Sequence, residues 1–82
     1  ERAYLGISIQ QDEGLFIVNV SRNSPASRAG IQVGDVLLAF DGKKVNDVKQ
    51  FRQYLYSKKV GDKVTLVYEH NGKEKTKEVT LK

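Results

Sequence analysis

Two residues of the 82-residue sequence invite a catalytic reading: Ser24 as a nucleophile and His70, the single histidine, as a base. Acyl transfer needs a nucleophile, a base and an orienting carboxylate within reach of one another. No base accompanies Ser24, which stands before Pro25 where a serine is the expected cap of a short helix. His70 lies beside Asn71-Gly72, the strongest tight-turn pair in the chain, and reads as a surface residue. A lone turn histidine makes neither a triad nor a metal site, and the absence of cysteine removes disulfides and thiolate metal centres. The expectation is a chain with no catalytic residue, no metal and no cofactor.

Composition narrows the remaining classes. A chain of 82 residues is expected to form a single domain, residues 1–82, burying about 60% of its unfolded surface. No apolar run approaches the roughly 20 residues of a membrane helix, so no direct membrane insertion is expected. Fourteen basic and ten acidic residues give a net charge of +4. The lysines and arginines are scattered among acids and lack interleaved aromatic residues, which implies a solvated surface and no nucleic-acid partner.

The elements that must position any site follow from periodicity and punctuation. Leu5, Ile7 and Ile9 alternate with polar residues or glycine, the pattern of a strand with one apolar face. A turn over 11–14 leads to a second, more continuously apolar strand over 15–20. Ser24-Pro25 opens a short helix that Gly30 closes. Gly34-Asp35 reverses the chain, and residues 36–40 form an apolar run expected to be a strand covered on both faces. Asp41-Gly42 turns the chain again. Asp47 is the expected N-cap of a helix over 48–58, with Gln50 completing a capping box. On that helix Val48, Phe51 and Leu55 fall within an arc of about 60°, flanked by Arg52 and Tyr54. Strands over 64–69 and 75–81 are joined through His70-Asn71-Gly72-Lys73.

The order strand, strand, short helix, strand, longer helix, strand, strand gives an α+β, mainly β fold class: a partly open β-barrel or sandwich of five to six strands with two helices closing its gaps. Within it, Ala29-Gly30-Ile31-Gln32-Val33-Gly34-Asp35 and the apolar run to Asp41-Gly42 resemble the core of PDZ domains. Tyr4-Leu5-Gly6-Ile7 is similar to the carboxylate-binding loop of that family. A loop that opens the domain and a strand that closes it resemble the circularly permuted PDZ domains of bacterial proteases, and Arg2 to Ile7 is similar to the junction into the first PDZ domain of HtrA-like (Deg-type) serine proteases. The sequence opens almost directly on this motif, as expected of a domain cut from a longer protein.

A free peptide C-terminus is a carboxylate on an extended strand. Binding it takes converging backbone amides and an unpaired strand edge, and Gly6 between Leu5 and Ile7 can supply both. The resemblance implies that Tyr4, Leu5, Gly6 and Ile7 form the carboxylate loop. The ligand would then pair with the strand through Ser8 and Ile9, with Val48, Phe51, Arg52 and Leu55 as pocket and helix wall. Val48 departs from the animal pattern, in which a histidine there bonds a ligand Ser or Thr, so an apolar ligand residue is expected opposite it. Arg52 is expected beside the carboxylate.

The implied function is capture of apolar C-termini or unfolded segments for an attached serine protease domain. The implied location is extracytoplasmic, in the periplasm or on the cell-envelope exterior. The alternatives are a contact module between domains or subunits, and a PDZ domain of another bacterial protease class.

Overall fold

Alternation of buried and exposed side chains builds the sheet. The computed structural model describes residues 3–82, so Arg2 of the N-terminal motif lies outside the described residues. The elements are β1 (Ile7–Gln11), β2 (Leu15–Val20), α1 (Pro25–Arg28), β3 (Val36–Phe40), β4 (Lys43–Lys44), α2 (Val48–Tyr56), β5 (Lys63–His70) and β6 (Lys73–Thr80). Five strands lie in the order β1-β2-β3-β5-β6, every pairing antiparallel, and the two-residue β4 pairs with β3. The sheet stays open, with β1 and β6 at its ends. This is the expected architecture with one short strand, β4, that the lysine pair at 43–44 gave no reason to expect.

One face of the sheet carries the core. Leu15 and Ile17 of β2, Leu37 and Phe40 of β3, and Val64, Leu66 and Tyr68 of β5 are buried there. Each such aliphatic or aromatic side chain contributes about 1.5–3 kcal/mol on leaving water. The helices cover this face. Phe40 meets Phe51 of α2 edge to face, with centroids 5.8 Å apart, and stacks on Tyr54 at 6.5 Å. Within β3, burial is one-sided: Leu37 and Phe40 are sealed while Val36, Leu38 and Ala39 are half-buried. The apolar run therefore does not mark a strand covered on both faces. On the second face Val36, Leu38 and Ala39 stay part-exposed, and an irregularity between Leu37 and Ala39 breaks the simple alternation.

Caps fix the helix starts. Ser24 Oγ accepts from the Ser27 amide at 3.1 Å, and Asp47 Oδ1 accepts from the Gln50 amide at 2.7 Å. Gln50 reaches back to the amide of Asn46, one residue before the cap, rather than to that of Asp47. α2 stops at Tyr56 with Ser57 as its C-cap, short of the expected Lys58. The last hairpin closes on two residues, Asn71 and Gly72, both with positive φ. Such a turn matches the twist of its strands and extends pairing to His70 and Lys73.

Candidate functional site

The loop before β1 has three successive carbonyls tied down behind it. Lys82 donates to the Tyr4 carbonyl at 3.2 Å, Ala26 at the start of α1 donates to that of Leu5 at 3.0 Å, and Ser21 donates to that of Gly6 at 2.8 Å. The amides are left over. Among the described residues, the N–H groups of Leu5 and Gly6 have no acceptor. Because Gly6 hands its carbonyl to the β2 side, the alternation of an antiparallel ladder turns the polar groups of Ile7 toward the open edge of β1. β1 thus starts at Ile7, and Leu5 belongs to the loop, its side chain buried rather than part of a strand face.

Gly6 is what allows this geometry. Its φ is +91°, and a Cβ there would lie 2.2 Å from Ser24 Cβ and 2.5 Å from Ser24 Oγ. Ser24 is itself immobilised, sealed from solvent, donating to the Ser21 carbonyl and capping α1. The residue that tempted a nucleophilic reading is the anvil against which the loop is shaped.

Between this loop, the free edge of β1 and α2 lies a cavity of about 320 Å³. Its lining holds Tyr4, Leu5, Gly6, Ile7, Ser8 and Ile9 on one side and Val48, Phe51, Arg52 and Leu55 on the other, so the residues that the family resemblance singled out lie together here. Leu5, Phe51 and Leu55 are buried at its base. Ile7, Ile9 and Val48 are half-buried, and Tyr4 and Arg52 are exposed at the rim. Ala3 and Tyr56 also line it and were missed. Tyr56 was legible, standing one turn after Arg52 on the same helix edge.

Electrostatics along the groove are one-sided. Among the described residues no acidic side chain lines it, and Arg52 is the one cation in its lining. The Val48 amide lies 3.4 Å from Gln11 Oε1 at the far end of β1, so α2 runs toward the loop and presents its C-terminal turn there. That end of a helix carries partial negative charge, which Arg52 offsets.

A second polar cluster lies away from the groove, and here the structure corrects the surface reading of His70. Its Nδ1 lies 2.6 Å from Oδ1 of Asp35, a carboxylate only 3% exposed, whose Oδ2 accepts from the Gln32 amide at 2.9 Å. Burial, helped by the charge of Asp35, holds the Tyr68 hydroxyl above its ordinary range. The other nitrogen of His70 faces the Asn71 side-chain amide. Among the described residues no hydroxyl nucleophile bonds this ring, so the pair anchors a loop and is not a triad.

Comparison with known proteins agrees with the geometry. The PDZ domain family model matches residues 3–81. The chain is 45% identical over 80 residues to the Serine protease Do-like HtrA of Lactobacillus helveticus, covering 98% of this chain and 19% of that protein. The chain thus spans about a fifth of that relative's length. Among solved structures, the HtrA-type protease AlgWS227A with decapeptide superposes with a TM-score of 0.87 at 26% identity, over 99% of this chain and 29% of that one. The HtrA3 PDZ domain bound to the phage-derived ligand FGRWV superposes at 0.85 over 99% of this chain and 86% of that one, and at 17% identity shows the fold alone. With its open six-stranded sheet, its two helices and a family match over nearly its whole length, this chain belongs to the PDZ domain family, and it resembles the PDZ domains of HtrA-type serine proteases.

Proposed function

We propose that the groove between β1 and α2 captures peptides or unfolded proteins with apolar C-termini by strand addition, as one domain of a longer, extracytoplasmic HtrA-like serine protease. The observation that carries this reading is the pair of unengaged amides at Leu5 and Gly6, set at the mouth of a cavity with an apolar base. Two such donors suit a carboxylate, and the free edge of β1 suits the strand leading into it. Leu5, Ile7, Phe51 and Leu55 take the terminal side chain, Ser8 and Ile9 lie along the pairing strand, Val48 meets a residue further back, and Arg52 lies within reach of the carboxylate.

A short peptide buries less than the roughly 1,200 Å² of a stable interface and is ordered on binding, so affinity should be on the order of micromolar or weaker. Titration of the isotope-labelled chain with a peptide ending in an apolar residue, beside the same peptide amidated, tests the reading. Shifts at Leu5, Gly6, Ile7 and α2 with the free acid alone support it. Equal shifts with both peptides, or none, reject it.

A second reading, a contact module between domains or subunits, is favoured by one observation. The uncovered sheet face holds an apolar cleft with Val36, Leu38, Ala39 and Val67 in its lining, and Phe16 and Val18 of β2 are exposed. On that reading Val18→Ser changes the activity of the longer protein and leaves peptide binding intact.

A further inference from the structure

Basic residues that look scattered along the sequence are sorted by the β5–β6 ribbon. β6 pairs with β5 in unbroken register from Lys63 opposite Thr80 to His70 opposite Lys73, so side chains alternate between faces without a slip. Val79, buried opposite Val64, fixes one parity as the core side. Lys77, Lys75 and Lys73 continue on that face, opposite Leu66, Tyr68 and His70, while Glu69, Glu74 and Glu78 fall on the other.

The outcome is a line of exposed ammonium groups about 7 Å apart along the strand. Among the described residues none of the three has a carboxylate partner. The acid behind this face, Asp35, is sealed by His70. Charged residues on an edge strand block unwanted pairing, but that role assigns no sign to a face.

We propose that the Lys73-Lys75-Lys77 face docks this domain on an anionic lipid surface. Lysines are compact point charges without the planar fork that reads base edges bidentately. Of the rings on this face, Tyr68 is 2% exposed and His70 is held by Asp35, so bases find no open platform to stack on. An edge strand with three cations in one row on one face suits a plane of headgroups, and the net charge of +4 adds attraction at longer range. No helix among the described residues is long and apolar enough to cross a membrane, so this contact is peripheral. The three lysines lie toward the hairpin end of β6, away from Lys82, whose backbone pairs with Tyr4 at the groove, and this leaves the groove open while the lysine face is engaged.

Co-sedimentation of the 82-residue chain with vesicles of phosphatidylcholine, with and without phosphatidylglycerol, tests this at low and high salt. The chain should sediment with the anionic vesicles alone, and salt should release it. Each lysine near such a surface is worth about a fivefold factor, so K73Q/K75Q/K77Q together should lower partitioning about 100-fold. The charge-matched control K44Q/K59Q/K63Q should lower it far less. Absence of binding to anionic vesicles, an equal loss in the control, or tighter binding to an RNA oligonucleotide in the same buffer would each overturn the proposal.

Discussion

At the scale of single residues, Gly6 and Ser24 form one fitted contact. Gly6→Ala adds a methyl where Ser24 already stands and forces an L residue to a φ of +91°. It should cost about 3 kcal/mol or more by urea denaturation. Gly72→Ala, at a similar φ but with open space around its Cβ, should cost about 1–2 kcal/mol. Equal losses would deny the close approach. Arg52 is exposed in the free groove, so Arg52→Ala should weaken a free-acid peptide only about two- to fivefold and leave its amidated form unchanged, read by the same titration. His70→Ala strips a partner from a buried carboxylate and should cost about 1–3 kcal/mol, with peptide binding intact because the cluster is outside the groove.

Among the elements, β3 and α2 are tied by an ion pair that no local pattern announces. Lys58, just past the end of α2, bonds Asp41 in the turn after β3. The Lys58 hydrogen bond, with its charge, holds the Asp41 carboxyl below the usual carboxylate range against a smaller opposing effect of burial. A carboxyl lowered in the folded state adds stability above its unfolded value near pH 4, and that stability is lost as pH falls through the folded value. Both partners are about a third exposed, so Asp41→Asn should cost at most about 1 kcal/mol at pH 7, a difference that shrinks in acid denaturation series from about pH 4 downward and is gone below the folded value. Asp47→Ala, which removes the α2 cap, should cost about 1 kcal/mol and loosen the wall of the groove.

At the scale of the molecule, an open sheet leaves two edges, and they are used differently. The edge at β1 is neutral and lies beside a cavity, whereas the edge at β6 is charged and splits its signs between faces. The two edges meet where Lys82 pairs with Tyr4, but the lysines lie toward the other, hairpin end of β6, so peptide capture and surface docking should be independent. Peptide affinity measured with the chain on anionic vesicles should match that in free solution within about twofold, whereas mutual exclusion would show competition for one surface.

The sequence by itself determined the elements and most of the groove. Periodicity marked β1, β2 and β5, caps and glycines marked the helices, and the stripe of Val48, Phe51 and Leu55 marked the face that α2 turns inward. These are local signals, carried by residues within one or two turns of each other. Only the tertiary structure decided the rest, because it depends on residues far apart in the chain. Whether the apolar run of β3 would be covered on both faces depended on what packed over the second, which is left half-buried. The role of His70 depended on Asp35, thirty-five residues away, arriving beneath its ring. The amides of Leu5 and Gly6 were freed because Lys82, Ala26 and Ser21 took the neighbouring carbonyls. The sign of each face of the β5–β6 ribbon followed from register, which backbone pairing sets and spacing along the chain alone does not.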